Sequence, residues 1–137
     1  MESRPEDFEA IRRILAEYCL FAEAGMGEAW AGLFAEDGVW DAGHVGRFVG
    51  RAAILDHYNE ASMPKERHRV TNSVIGVHGD RAQALSSVTL YHSSREDGFK
   101  LVGGGFYADE LVRQGGRWLF SRRRFLPKIK PEDLPPY

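Results

Sequence analysis

The hydrophobic pattern of this 137-residue sequence changes its period near Arg67, and that change constrains the fold more than any other feature. Before it, apolar residues such as Ile11, Leu15 and Tyr18 recur at three- and four-residue steps, which indicates a helix with one buried face. After it, apolar and polar residues alternate, which indicates strands that bury one side. The helices come first, and tight turns then connect the strands. This order predicts an α+β fold with a mainly antiparallel sheet.

Turn signals set the expected bounds of these elements. The first helix begins near Pro5, because proline suits a first helical turn, and Gly25 ends it. The segment Ala42-Gly43-His44 predicts a small hairpin, and glycine-containing turns separate four long strands. We predict further helices over 28–35 and 51–62, and strands from 67 to the turn at 78–80, over 82–93, over 99–112 and over 117–126.

A long, curved sheet of this kind would wrap around the first helix and leave a cone-shaped hollow. A concave apolar site of that sort is the usual place for a small ligand. With 43% hydrophobic residues, the chain has enough apolar side chains for one core. We therefore expect one domain over residues 1–126, a cone-shaped barrel with an internal cavity, and a proline-rich tail over 127–137.

Composition excludes several classes of function. Eighteen Lys and Arg residues against twenty Asp and Glu give a net charge of −2, so the chain has no overall attraction to nucleic acid or to anionic membranes. No apolar stretch approaches the roughly 18–20 residues of a membrane span, and the acidic start is unlike a signal peptide. We expect a cytoplasmic protein that binds neither nucleic acid nor membranes.

Metal binding is not expected either. Cys19 is the only cysteine in the sequence, which excludes a cysteine-based metal cage, and the five histidines have no metal-ligand spacing. His68, His92 and Glu23 would make a two-histidine, one-carboxylate site only if the fold brought them together.

Seven segments carry a resemblance to a known family: Tyr18 with Glu23, 30–40, Gly50-Arg51, 68–72, 79–82, 103–107 and 118–123. In this order and spacing they resemble the SnoaL-like, or polyketide-cyclase-like, branch of the nuclear transport factor 2-like superfamily. The resemblance extends over roughly residues 5–126. It implies a cone-shaped α+β fold, which hosts many reactions and some members without any.

The resemblance also implies a set of catalytic residues. The enzymes most similar in this respect are scytalone dehydratase, bile-acid 7α-dehydratase and hexachlorocyclohexane dehydrochlorinase, which eliminate a small group from a ring without a cofactor. Their histidine base corresponds by position to His68, and their helical carboxylate corresponds to Glu23. A neighbouring polar residue on the helix corresponds to Tyr18, and an arginine on the last strand corresponds to Arg123.

Further implications concern substrate binding and assembly. Ligand-contacting positions of the same enzymes fall near His92 and Tyr107. This sequence departs from these enzymes at Glu23, where they have Asp. The extra methylene of Glu displaces the carboxylate, whereas catalysis requires such a group to be held within roughly 0.5 Å of its productive position. The resemblance implies a homodimer that associates through the outer face of the sheet.

The residue types themselves support a proton-transfer site. A neutral imidazole such as that of His68 accepts a proton near neutral pH, since its ordinary pKa is about 6.5. A carboxylate on its other nitrogen, the role of Glu23, would fix its tautomer. Strand alternation sends Arg123 to the opposite face from its arginine neighbours, where its fork of donors can hold an anionic group.

Other side chains have both a binding and a packing interpretation. Alternation places Asn72 on the same face as His68, where it binds a ligand or a neighbouring strand. Trp40 and Tyr107 are expected to line the pocket, although ordinary packing also explains them. His92 has inward parity along its strand but lies close to a turn, so it faces either the interior or solvent.

The sequence therefore predicts a cofactor-independent lyase or isomerase for a small hydrophobic, oxygenated ring compound. His68 would abstract a proton, oriented by Glu23, while Tyr18 and Arg123 would stabilise the developing oxyanion or assist the leaving group. One alternative is a non-catalytic ligand-binding or dimerisation domain of the same fold, which the change from Asp to Glu favours. A second alternative is the ring-closing aldol chemistry of a polyketide cyclase.

Overall fold

The computed structural model describes residues 4–61 and 66–136, and this part of the chain contains three α-helices and a six-stranded sheet. Single turns of 3-10 helix lie at Gly43–Val45 and Pro131–Asp133. The arrangement confirms the predicted α+β class. The helices and strands in chain order are α1 (Pro5–Glu23), α2 (Gly27–Ala31), β1 (Phe34–Asp41), β2 (Arg47–Val49), α3 (Arg51–Glu60), β3 (Arg67–His78), β4 (Arg81–Ser94), β5 (Gly98–Gln114) and β6 (Arg117–Leu126).

The strands form one curved sheet in the order β2-β1-β6-β5-β4-β3. All neighbouring pairs are antiparallel except β1 and β6, which are parallel. The described sheet stays open, since β2 and β3 form its two edges. The four long strands begin and end within two residues of their predicted bounds, because their glycine-containing turns are strong local signals.

Helix α1 packs against this sheet with the apolar stripe that its periodicity predicted. Burying that stripe joins the helices and the sheet in one hydrophobic core, which places Tyr18 in the middle of the molecule. The core residues of the helices are Ile11, Ile14, Leu15, Tyr18, Cys19, Ala22, Trp30, Ala31, Ile54 and Tyr58.

The predicted helix over 28–35 is too long. Helix α2 ends at Ala31, and β1 begins at Phe34, which is fully buried and pairs with Phe120 of β6. Within β1, a Cβ on Gly38 would lie 2.9 Å from the Ala35 carbonyl oxygen, so the glycine permits a close backbone approach. Pairing with a strand that is distant in the sequence overrides the local helical pattern, and sequence periodicity cannot register such a partner.

The predicted alternation along β3 is also wrong beyond its middle. Asn72 and Ser73 together lie opposite the single residue Ser86 of β4, which is a β-bulge. Asn72 has a φ of 53°, a left-handed conformation that asparagine tolerates better than most residues. Since the bulge reverses the alternation, Asn72 and Val74 do not share a face with His68, and Asn72 is exposed.

The proline-rich tail returns to the sheet. A Cβ on Gly76 of β3 would lie 2.6 Å from the carbonyl oxygen of Pro136, so the tail packs tightly there. The end of the predicted third helix at residue 62 lies outside the described residues, as does the proline that follows it. Among the described residues, no helix is long and apolar enough to cross a membrane.

Candidate functional site

A buried arginine lies at the centre of the candidate site. Arg123 of β6 has no exposed surface, whereas its two arginine neighbours remain partly exposed, as the alternation predicted. Its guanidinium carbon lies 3.8 Å from the ring centroid of Tyr107, 4.1 Å from that of Tyr18 and 4.6 Å from that of Phe120. These cation–π contacts hold the guanidinium among three rings in the core.

The counter-charge of Arg123 is Asp109, which lies directly across from it on β5. Arg123 Nε is 2.9 Å from Asp109 Oδ1, and both side chains are fully buried. The N–H direction is poorly aligned, so the contact is an ion pair without a well-formed hydrogen bond. Among the described residues, Arg123 Nη1 and Nη2 and Asp109 Oδ2 have no hydrogen-bond partner.

Sequence reasoning missed Asp109. The available signal was its position two residues after Tyr107 on one strand, since residues i and i+2 share a face. An acidic residue with inward parity, facing a last strand with an inward arginine, predicts a buried ion pair. That prediction requires the register between β5 and β6, which the structure supplies.

Burial controls the protonation of this cluster. It raises the pKa of Asp109 to about 6 despite the nearby positive charge of Arg123. Burial also raises the pKa of Tyr107 to about 12 and that of Tyr18 well above its ordinary value. At neutral pH both phenols are therefore protonated, and the Asp109 carboxyl is mostly ionised.

His68 at the start of β3 is a neutral imidazole. Burial lowers its pKa to about 4, and the positive charge of Arg123 contributes in the same direction. Its Nδ1 atom is buried and has no hydrogen-bond partner among the described residues. A neutral histidine in such a place can accept a proton or bind a ligand oxygen, depending on its tautomer.

The Glu23 carboxylate forms ion pairs with the two arginines that flank His68 on β3. Its side chain is largely buried, and Oε1 lies 3.7 Å from Arg67 Nη1 and 3.7 Å from Arg69 Nη1. The described contacts of Glu23 are thus with two arginines, and the Nδ1 atom of His68 has no partner in the described part of the chain. Two guanidinium groups flanking His68 in sequence attract the carboxylate, which sequence reasoning did not anticipate.

Trp40 lies in an aromatic wall. Its ring centroid is 5.6 Å from that of Trp30 and 5.5 Å from that of Phe48. The indole Nε1 atoms of Trp40 and Trp30 are buried without a hydrogen-bond partner within residues 4–61 and 66–136. Asn72 and His92 are both exposed, so the fold does not bring them to this interior cluster.

The described residues form neither a metal-binding cluster nor a reactive thiolate. No group of three or more His, Cys, Asp or Glu side chains in residues 4–61 and 66–136 is placed to hold a metal ion. Burial raises the pKa of Cys19 to about 11, so the side chain is a thiol and not a nucleophilic thiolate at neutral pH.

Around Arg123 the interior is lined by the rings of Tyr18, Tyr107 and Phe120. Two pockets of about 420 and 160 Å³ lie elsewhere, between the C-terminal tail and strands of the sheet, and neither is lined by His68, Tyr18 or Arg123. What the interior offers is a set of buried polar atoms without partners among the described residues, mostly donors. Such donors suit a ligand that carries acceptor oxygens.

Comparison with known proteins identifies the class. The SnoaL-like domain matches residues 3–124, so the chain belongs to that family. The fold is shared with a protein of unknown function from Mycobacterium tuberculosis, at 30% identity and a TM-score of 0.82, covering 95% of this chain and 81% of that chain. A comparison with curated proteins gives no match.

Two structures from Novosphingobium aromaticivorans are also similar. One is an NTF2-like protein with a cystatin-like fold, at 27% identity and a TM-score of 0.78, covering 87% of this chain and 80% of that chain. The other is a candidate scytalone dehydratase at 24% identity and a TM-score of 0.76, covering 90% of this chain and 85% of that chain. The match over residues 3–124 confirms the predicted family, and the structural similarities confirm the cone-shaped α+β fold.

Proposed function

We propose that the protein is a cofactor-independent lyase or isomerase that acts on a small hydrophobic, oxygenated ring compound. The observation that carries this proposal is a neutral, partly buried His68 whose buried Nδ1 atom has no partner among the described residues, in the same interior as Arg123 with two unpartnered nitrogens. A base and an oxyanion-stabilising group in one apolar interior are what proton abstraction beside a carbonyl requires.

In this proposal His68 accepts the proton. The low pKa of His68 reflects burial beside a positive charge, and an enolate oxygen formed nearby would favour the imidazolium and raise that pKa. Arg123 donates from Nη1 or Nη2 to the developing oxyanion, and Tyr18 donates its hydroxyl proton in a hydrogen bond or to the leaving oxygen. Tyr107 and Trp40 form aromatic walls of the site.

In this proposal Glu23 orients the imidazole of His68. Its carboxylate would turn towards His68 from the guanidinium groups of Arg67 and Arg69, which lie 3.7 Å from its Oε1. Both arginines are more than half exposed, so this ion pairing is weak and compatible with such a change.

A second candidate function rests on the ion pairs of Glu23 with Arg67 and Arg69. If Glu23 stays with Arg67 and Arg69, His68 has no orienting carboxylate, and the interior binds a ring compound without chemistry. This non-catalytic binding domain is the alternative that the present geometry of Glu23 favours.

Two further expectations from the sequence stay proposals. A homodimer that associates through the outer sheet face is one, and light scattering after size-exclusion chromatography measures its mass. A cytoplasmic location is the other, and fractionation of cells that produce the protein tests it.

The experiment that tests the main proposal is proton exchange on a ring ketone. The full chain is incubated with 2-tetralone in deuterated water, and loss of the ring hydrogens beside the carbonyl is followed by proton NMR. We expect His68→Gln to slow the enzymatic exchange by at least about a hundredfold, within the range for removal of a general base. The matched control is His78→Gln, because His78 is an exposed histidine on the same strand.

The outcomes separate the two functions. An unchanged exchange rate in His68→Gln would remove His68 from the mechanism. Binding of 2-tetralone to the unsubstituted protein without any exchange above the buffer rate would favour the binding domain.

A further inference from the structure

The interior of the protein carries a balanced pair of charges. Arg123 is positive and Asp109 is mostly negative at neutral pH, and both are fully buried. Apart from Arg124 on β6, the other titratable groups that act on this pair are neutral at that pH, since their pKa values lie far from it. These neutral groups are Tyr18 on α1, Tyr107 on β5, Cys19 on α1 and His68 on β3.

The geometry leaves one part of Arg123 for a ligand. Three aromatic rings pack around the guanidinium carbon, and Asp109 occupies the side of Nε. The atoms that remain without a partner among the described residues are Nη1 and Nη2, which are donors only. A ligand that binds there must bring an acceptor oxygen, and it meets the negative charge of Asp109 close by.

We propose that Asp109 is a specificity-determining residue, which neutralises Arg123 and thereby makes the site select uncharged carbonyl or hydroxyl compounds over carboxylates. This inference rests on the proposed function and narrows its substrate class. An anion that enters the interior loses its hydration without gaining a net counter-charge. An uncharged carbonyl loses little hydration energy and still accepts a hydrogen bond from Arg123.

The affinity of the site for carboxylates should depend on pH. When Asp109 takes up a proton, Arg123 is left as an uncompensated positive charge, so carboxylate binding strengthens as the pH falls through about 6. His68 on β3 titrates well below this range, and the tyrosines and Cys19 titrate well above it. Arg124 is the remaining charged neighbour of Asp109.

The test compares two probes that differ in charge, 2-naphthoate and 2-naphthamide, by calorimetric titration of the full chain. Naphthoate stays ionised above about pH 5.5, since aromatic carboxylic acids have pKa values near 4. We expect the unsubstituted protein to prefer the amide at about pH 7.5 and the affinity ratio of naphthoate to naphthamide to rise about tenfold by about pH 5.5.

Asp109→Asn should produce the same rise already at about pH 7.5 and should remove the dependence on pH. The matched control is Glu110→Gln, which removes a negative charge from the next residue of β5, an exposed one, and should leave the ratio unchanged. A purely structural role of Asp109 would weaken both probes alike and leave their ratio unaltered.

The outcomes distinguish a failure of Asp109 as specificity determinant from a failure of the proposed ligand site. If naphthamide binds but the ratio changes neither with pH nor in Asp109→Asn, the inference is overturned and the proposed ligand site stands. If neither probe binds the unsubstituted protein at either pH, the ligand site of the proposed function fails, and the inference fails with it. Should Asp109→Asn not fold, the pH series on the unsubstituted protein decides.

Discussion

Two buried aspartates each face an arginine on the sheet, and their surroundings differ. Asp7, at the start of α1, accepts hydrogen bonds at Oδ1 from Arg113 Nη1 at 3.1 Å, Trp118 Nε1 at 3.2 Å and Arg4 Nη2 at 3.3 Å. Its Oδ2 accepts from the Arg4 backbone N–H at 3.3 Å. Asp109 instead has one ion-pair contact, and its Oδ2 atom and the Nη atoms of its arginine have no partner among the described residues.

The two carboxyl groups also titrate in opposite directions. Hydrogen bonding from Arg4 holds the pKa of Asp7 below its ordinary value, whereas burial raises that of Asp109 to about 6. A saturated network such as that of Asp7 ties the first turn of α1 to β6 and has no valence left for a ligand. The incomplete network of Asp109 and Arg123 is the one that a ligand can complete.

The largest expected effect comes from breaking the buried pair. Asp109→Ala should lower the free energy of unfolding by about 3–5 kcal/mol, because it leaves a permanent, uncompensated charge on Arg123. Arg123→Met should cost less, since the remaining carboxyl can take up a proton and become neutral. Urea unfolding at neutral pH measures both, with Glu110→Ala as control, and equal costs for the two variants would contradict the assignment.

A second, smaller effect concerns pH. Burial lowers the pKa of His68 from 6.5 to about 4, so its contribution to stability is present above about pH 6.5 and is lost as the pH falls towards 4. This difference corresponds to about 3 kcal/mol.

His68→Gln should therefore become more stable relative to the unsubstituted protein as the pH falls from about 6.5 to about 4. Urea unfolding at several pH values across this window gives the difference, with His78→Gln as the exposed counterpart. Parallel pH profiles for His68→Gln and the unsubstituted protein would show that the pKa of His68 is not lowered in the folded protein.

The smallest effect is expected in the saturated network. Trp118→Phe keeps most of the buried ring but removes the indole donor to Asp7, while the two arginine donors remain. We expect the melting temperature to fall by a few degrees, with the binding ratio of naphthoate to naphthamide unchanged. A change in that ratio would mean that the Asp7 network is energetically coupled to the pair of Asp109 and Arg123. That result would contradict the separation of the two aspartates drawn above.

Local information in the sequence predicts the fold class, the order of the elements and the inward direction of Arg123. That information consists of periodicity, glycine-containing turns and the alternation of side chains along a strand. The expected place of Asn72 beside His68 is wrong because nothing local in the sequence announces the bulge that reverses the alternation of β3. Asp109 escaped prediction because its pairing with Arg123 depends on the register of two strands.

The sequence by itself determined that helices precede an antiparallel meander, that the chain lies in the SnoaL-like family and that one arginine of the last strand points inward. These properties follow from steric and hydrophobic preferences that act over a few residues. Only the tertiary structure decided that Arg123 faces Asp109 and that Glu23 faces Arg67 and Arg69. Electrostatic partners are selected by distance in space and by burial, and both arise only when distant segments pack together.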